Sequence, residues 1–172
     1  AFYVLLPQHN QIAYWEEIEE GVHTAGEARK DFNINVTLLY YDRFDDNSFQ
    51  ETAEKCLQAQ PDGVVIVPTQ QEITRTLTDK LHDADIPFVM LDSYMPDLNP
   101  LAFFGQDSFS SGYFAARMLM LLANNESEIM LMKVTKDGKV MSQQQSNREV
   151  GFRNYMRDHF PHVKIITLEL PF

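Results

Sequence analysis

Pro61-Asp-Gly-Val-Val-Ile-Val-Pro-Thr69, a polar run, and then Asp85-Ile-Pro-Phe-Val-Met-Leu-Asp-Ser93 decide the fold of this chain. Residues 64–67 and 88–91 are short apolar runs without alternation, the pattern of strands buried on both faces of a parallel sheet. Between them Ile73, Leu77, Leu81 and Ala84 recur at helical spacing, giving one helix face that can cover the sheet. The stretch reads as a β-α-β unit with a right-handed crossover. Both strands run out into polar residues, Pro68-Thr-Gln70 and Asp92-Ser93. In open parallel sheets the carboxyl ends of the strands are where ligands bind.

Working outward, residues 2–6 form a first apolar strand, closed by Pro7 and followed by a polar loop at residues 8–11. Ile12, Trp15, Ile18, Val22 and Ala25 mark the inner face of a long helix, with Glu16, Glu17, Glu19 and Glu20 in its first turns, where the helix dipole favours acids. Residues 34–41 are a second strand, and Ser48-Phe-Gln-Glu51 fits a capping box that would open the second helix. Residues 101–104 are a further strand, and near residues 105–108 the character changes. A helix over 109–123 and a strand around 129–134 follow, with a tight turn at Asp137-Gly138. Residues 143–147 read as a polar loop leading into a helix over 148–159, and residues 163–168 as a last strand. The order predicts an α/β fold, a doubly wound parallel sheet in three layers, with a first lobe over 1–105 and a partial second lobe over 106–172. Two helices and two strands are too few to bury both faces of the second lobe's sheet. Another chain, or a longer protein, is expected to complete it.

The chain has 172 residues, 44% of them apolar, enough for a real core. Its formal charge of −11 repels phosphate backbones, so these residues by themselves are poor nucleic-acid binders. Cys56 is the single cysteine, which excludes internal disulfides and a four-cysteine zinc site. It shares a helix face with Phe49, Ala53 and Gln60 and reads as a buried structural thiol. No stretch approaches the ~20 apolar residues of a membrane span, and no signal peptide is visible. The chain starts almost inside a strand and reads as trimmed from something longer. Neither G-x-G-x-x-G nor G-x-x-x-x-G-K-[ST] occurs, so nucleotide cofactors are unsupported and no cofactor is expected. Asp42, Asp45 and Asp46 lack the glycine and distal glutamate of a calcium loop, and His159 with His162 are too few ligands for zinc.

The polar and aromatic residues at the strand ends carry more information. Gln8 to Trp15 follow the first strand, Asp42 the second, Thr69 the third, Asp92 and Ser93 the fourth. Parallel strands would bring them to one edge. Carboxylates and amides there suit a hydroxyl-rich ligand, and aromatic faces suit its C–H surfaces. Trp15 lies on the apolar stripe and so has a core reading as well. Tyr14 falls off it. Asp92 is read as a ligand contact or as a turn residue.

These residues resemble the periplasmic-binding-protein-like (type I) sensor domains of LacI/GalR transcription regulators and the related sugar-binding proteins of ABC transporters. Ala13-Tyr-Trp15 with Gly21 is similar to the family's first loop and helix, and residues 61–69 to its third strand. Ile86-Pro-Phe-Val-Met-Leu-Asp92 is similar to its fourth strand, Gly105-Gln-Asp-Ser108 to the first crossing between lobes, and Arg148-Glu-Val-Gly-Phe152 to its R-x-x-G-F motif. The resemblance implies a site of Tyr14, Trp15, Asp92 and Arg148, with Gln8, Asp42, Thr69, Ser93 and Asp107 nearby, no catalysis and no metal. Ser93 stands where many sugar binders place an arginine, and residues 121–126 replace the family's common Leu-x-x-x-Gly-His run. It further implies a cytoplasmic homodimer whose effector, a sugar, binds between the lobes and controls operator DNA binding through a headpiece outside this chain. The same residues suit a solute-binding protein of a sugar transporter or the sensor domain of a membrane receptor. An enzyme using Asp42, Asp92 or Asp107 would need a nucleophile–base pair or phosphate loop that the sequence does not offer.

Overall fold

The structure, a computed structural model, describes residues 1–8, 12–68, 71–123, 127–136, 139–140 and 142–171. The chain divides into two compact units, Ala1–Phe104 and Gly105–Phe172.

The first unit runs β1 (Phe2–Pro7), α1 (Ala13–Glu27), β2 (Val36–Tyr41), α2 (Asp46–Gln58), β3 (Gly63–Ile66), α3 (Gln71–Asp83), β4 (Phe88–Leu91) and β5 (Phe103–Phe104). The strands form one sheet in the order β2-β1-β3-β4-β5 with every pairing parallel. Strand alternation sorts β1's side chains between two cores. Leu5 packs with Phe49, Ala53 and Cys56 of α2 and Leu77 and Leu81 of α3. Val4 and Leu6 pack on the other face with Trp15, Ile18 and Val22 of α1. Helices therefore cover both faces, and the apolar runs at 64–67 and 88–91 are the interior strands that their lack of alternation predicts. The second strand starts at Val36, two residues later than its apolar pattern suggests.

The opening of α2 corrects the capping-box expectation. The helix starts at Asp46, and Asp45 is the N-cap, its carboxylate accepting from Asn47 N at 3.0 Å. Ser48 Oγ accepts instead from Asp42 N at 2.9 Å, so the serine fastens the preceding loop. Of the glutamates expected in the first turns of α1, Glu16 lies in the first turn and Glu17, Glu19 and Glu20 in the turn that follows. Cys56 is fully buried, and that burial pushes its thiol up to about 11. A thiol both inaccessible and protonated is inert. Cys56 is expected to resist a disulfide-exchange reagent such as DTNB at neutral pH and to react at once in denaturing urea. Stoichiometric labelling of the folded protein would contradict that placement.

The second unit contains α4 (Ser108–Leu122), β6 (Glu128–Lys136), β7 (Lys139–Val140), α5 (Gln143–His159) and β8 (Lys164–Pro171). Its sheet has the order β7-β6-β8, with β6 parallel to β8 and antiparallel to β7. The short β7 is absent from the sequence reading, and the expected Asp137-Gly138 turn lies outside the described residues. Residues 143–147 are not a loop. They are the first turns of α5, capped by Ser142 Oγ, which accepts from Gln145 N at 3.2 Å, and braced by Gln143 Nε2 donating to Asn147 Oδ1 at 3.1 Å. Glutamine is a good helix former, and an uncharged polar run without periodicity hides that.

Ala116, Ile129, Met156 and Val163 form the buried core of this unit. The helices α4 and α5 approach backbone to backbone at two glycines. A Cβ on Gly112 would lie 1.9 Å from the carbonyl oxygen of Arg148, and one on Gly151 would lie 2.0 Å from that of Phe109. On one sheet face Met130, Met132 and Val134 of β6 stand in register with Ile166, Leu168 and Leu170 of β8, and all six side chains are exposed.

Candidate functional site

Parallel strands bring the carboxyl ends of β1, β2, β3 and β4 to one edge of the first unit, and the expected residues there can be placed one by one. Gln8 continues β1, its backbone N–H donating to Tyr41 O at 2.7 Å. Asp42 closes β2, and its Oδ1 accepts from Phe44 N at 2.9 Å, an Asx turn that shapes the loop into α2. Thr69 lies outside the described residues. Tyr14 and Trp15 open α1 with different fates. Trp15 is buried, 7% exposed, with Val4, Leu6 and Val67, while Tyr14 is 51% exposed. Their rings meet edge to face, centroids 4.9 Å apart and planes at 79°.

Asp92 is the unusual residue. Its backbone N–H donates to Phe104 O at 2.9 Å, and across it Ser93 N donates back to Leu91 O at 2.8 Å. Its φ is 68°. A three-residue turn with positive φ at its centre is rare and strained for a residue with a side chain. Asp92 is therefore a turn residue, and the turn throws its carboxylate out at the end of β4. There Tyr14 Oη donates to Asp92 Oδ1, joining residues 78 apart in sequence. Ser93 is buried, 5% exposed, and its Oγ lies 3.4 Å from Asp92 Oδ2, the long end of a hydrogen bond.

Beneath this edge Tyr41, buried, donates its hydroxyl to Val67 O at 2.7 Å and ties the end of β2 to the end of β3. Burial pushes its phenol far above the ordinary value. The positive charge of Arg43 opposes that shift and the negative charge of Asp92 adds to it. The sequence reading took Tyr41 only as strand. Its signal was its place immediately before the loop-forming Asp42.

In the second unit Asp107 is the N-cap of α4. It accepts from Ser110 N at 3.0 Å and from Ser110 Oγ at 2.6 Å, and these bonds hold its carboxyl below the ordinary range. Arg148 lies in the second turn of α5, where its Nη2 donates to Gln106 Oε1 at 3.3 Å. Its backbone carbonyl packs over Gly112, so the close approach of α4 and α5 fixes where the guanidinium starts. Gln106, unremarked within the Gly105-Gln-Asp-Ser108 motif, is the residue that holds Arg148. The structure thus brings Tyr14, Asp92 and Ser93 together in the first unit, and Arg148 with the Gln106–Asp107 turn in the second.

An open pocket of about 630 Å³ lies elsewhere, at the amino ends of β3 and β4, lined by residues including Pro61, Asp62, Lys80, Asp85 and Pro87. The residue chemistry and the edge rule for parallel sheets favour the opposite, carboxyl edge. Among the described residues no group of three His, Cys, Asp or Glu side chains could hold a metal ion, and no helix is long and apolar enough to cross a membrane.

A family model for the periplasmic binding protein domain matches residues 2–171. No curated protein sequence matches the chain significantly. Among solved structures, a candidate LacI transcriptional regulator from Bacteroides fragilis is 45% identical with a TM-score of 0.90, covering 99% of this chain and 59% of that one. GanP, a glucose-galactose binding protein from Geobacillus stearothermophilus, is 20% identical with a TM-score of 0.79 over 98% of this chain and 57% of its own. An ABC transporter solute binding protein from Agrobacterium vitis, bound with α-D-tagatopyranose, is 20% identical with a TM-score of 0.73, over 98% of this chain and 58% of its own. The last two likenesses speak to fold alone, and the chain spans under 60% of the length of each of the three. With its model matched from the first strand to the last, the chain belongs to the periplasmic binding protein domain family.

Proposed function

We propose that these residues are the ligand-sensing part of a LacI-type transcription regulator and that the ligand is a sugar. The observation that carries this reading is the 45% identity, over 99% of the chain, to the candidate LacI regulator of Bacteroides fragilis. The chemistry at the strand ends supports it. Asp92 supplies a carboxylate that accepts from sugar hydroxyls, Tyr14 an exposed aromatic ring, and Arg148 a rigid fork of donors. Trp15 braces the ring of Tyr14, and Gln8, Asp42, Thr69, Ser93 and Asp107 are the further residues proposed to contact the ligand. No chemistry at the ligand is called for. A sugar that binds one of two conformations more tightly shifts their populations. In a cytoplasmic homodimer that shift would change the grip on operator DNA of a headpiece that the 172 residues do not contain. A net charge of −11 repels the phosphate backbone, which supports placing DNA contact in such a headpiece. The same recognition chemistry would serve a transporter's solute-binding protein, but solved sugar-binding proteins resemble the chain at 15–23% identity, where the likeness is one of fold.

Thermal unfolding in the presence of D-glucose, D-galactose, L-arabinose and D-tagatose tests the proposal, with Arg148→Ala beside the wild type. A sugar at a hundred times its Kd stabilises the folded state by about 2.7 kcal/mol. In a chain of this size that is a rise of roughly 5–10 °C in Tm. One sugar is expected to give such a rise, and Arg148→Ala to abolish it while leaving the sugar-free Tm in place, because the Arg148 contact is on the surface. No shift across the panel would overturn the sugar reading and point to phosphorylated, nucleoside or protein effectors.

A further inference from the structure

The sugar-binding reading uses Tyr14 for its exposed aromatic ring, a role in which only the ring matters. The geometry points to a second role for its hydroxyl: we propose that Tyr14 is a positioning residue that holds the Asp92 carboxylate in one orientation before any ligand arrives. This rests on the sugar-binding reading above and deepens it.

The orientation of Asp92 is fixed at two levels. The backbone is fixed by the hydrogen bonds from Asp92 N to Phe104 O and from Ser93 N to Leu91 O, at 2.9 and 2.8 Å, around a φ of 68°. Glycine would adopt that turn without strain, yet the position carries a carboxylate. The side chain is then met by Tyr14 Oη on Oδ1 and by Ser93 Oγ, at 3.4 Å, on Oδ2. Tyr14 can do this because its own ring is braced. It meets the edge of Trp15, and Trp15 is packed into the core with Val4, Leu6 and Val67. A chain of contacts therefore runs from the core through an indole and a phenol to a carboxylate at the sheet edge. Ser93, which sequence reasoning places among the ligand contacts, acts here through Asp92 as well. An acceptor already held in place loses less conformational freedom when a sugar hydroxyl donates to it, and that saving appears directly as affinity.

Tyr14→Phe separates the two roles, since it keeps the ring and removes the hydroxyl. In the sugar-free protein, the Hα–Hβ scalar couplings of Asp92 measured by NMR are expected to report one side-chain rotamer in the wild type and an average over rotamers in Tyr14→Phe. Calorimetric titration with the four sugars of the panel is expected to show roughly three- to tenfold weaker binding in Tyr14→Phe, the range of one hydrogen bond. In an Asp92→Asn background the same change should cost less, because the two residues act as one unit. An unchanged Asp92 rotamer in Tyr14→Phe would overturn the proposal. So would averaged couplings with sugar affinity equal to or tighter than wild type, because Tyr14 would then compete with the ligand or be irrelevant to it. If the wild type binds none of the sugars, the sugar reading fails, and the couplings still decide whether Tyr14 positions Asp92.

Discussion

Gly112→Ala is expected to destabilise the Gly105–Phe172 unit by about 3 kcal/mol or more, at the upper end of what overpacking costs. The new Cβ would lie 1.9 Å from the carbonyl oxygen of Arg148, 2.6 Å from its carbonyl carbon and 2.8 Å from its Cα. These are backbone atoms of a helix and cannot swing aside as a side-chain tip can. To restore an ordinary separation of about 3.5 Å, α4 and α5 must part by well over an ångström. The core they close over, Ala116, Ile129, Met156 and Val163, is too small to absorb the gap. The same movement displaces Arg148, so whatever binding Arg148 supports should fall with stability. Gly21→Ala is the control. A Cβ there meets nothing within 4 Å, and alanine in place of glycine inside a helix stabilises by about 0.8–1 kcal/mol. The chain's single tryptophan, Trp15, reports on the first unit. Urea unfolding of Gly112→Ala should therefore split, with part of the far-UV circular dichroism lost at low urea and the tryptophan transition near its wild-type midpoint. Coincident, unshifted transitions would show that the two helices do not depend on this contact.

The R-x-x-G-F motif gains a physical meaning from that packing. Read as sequence, Arg148 and Gly151 are two residues of a family pattern. In the structure Gly151 admits the backbone of Phe109, Gly112 admits the backbone of Arg148, and Phe152 packs against the core. The motif is in large part a helix-packing device that sets where a guanidinium begins. Such an approach cannot be read from one chain segment, since it needs Gly112, 36 positions before Arg148, to lie opposite. The first unit was more legible because its signals are local: unbroken apolar runs for interior strands, a 3.6-residue stripe that turns Trp15 inward and Tyr14 outward, and polar residues at each strand's end. What stayed hidden there was the choice between equivalent local options. Asp45 and Ser48 can each cap a helix, and nothing in their neighbourhood of sequence says that Ser48 will be taken by Asp42 N. The start of α5 was hidden for a related reason, since Gln143, Gln144 and Gln145 carry helix propensity but no apolar stripe to reveal it. The contacts that build the candidate site, Tyr14 with Asp92 and Arg148 with Gln106, join positions 78 and 42 residues apart and become visible only once the sheet and the helix pair exist.

Asp92→Gly is expected to move stability and binding in opposite directions. A residue with a side chain at φ 68° in a three-residue turn stores about 1–3 kcal/mol of strain. Glycine releases it, and against that stands about 0.5–1 kcal/mol for the greater freedom of glycine in the unfolded chain. The hydrogen bond from Tyr14 is lost too, but it lies at an exposed surface and counts for little in stability. The net expectation is a protein about 1 kcal/mol more stable. Sugar binding should fall by roughly ten- to a hundredfold, the effect of removing hydrogen bonds to a charged acceptor. Two other non-glycine residues at positive φ provide the comparison. Gln60 and Asp85, at 46° and 53°, end the turns after α2 and α3 at the amino edge of the sheet, away from Tyr14 and Asp92. Gln60→Gly and Asp85→Gly should stabilise for the same backbone reason and leave sugar affinity untouched. Asp92→Asn, which keeps the turn and the strain while removing the charge, should weaken binding with no gain in stability. Denaturant midpoints and titration calorimetry on the four variants decide the matter. Destabilised Asp92→Gly would mean that the turn is not strained, and Asp92→Gly with wild-type sugar affinity would mean that the strain serves something other than the carboxylate. With both outcomes as expected, the strain at Asp92 is tied to ligand recognition, because the carboxylate is then the only thing gained by keeping a strained residue where glycine would fold better.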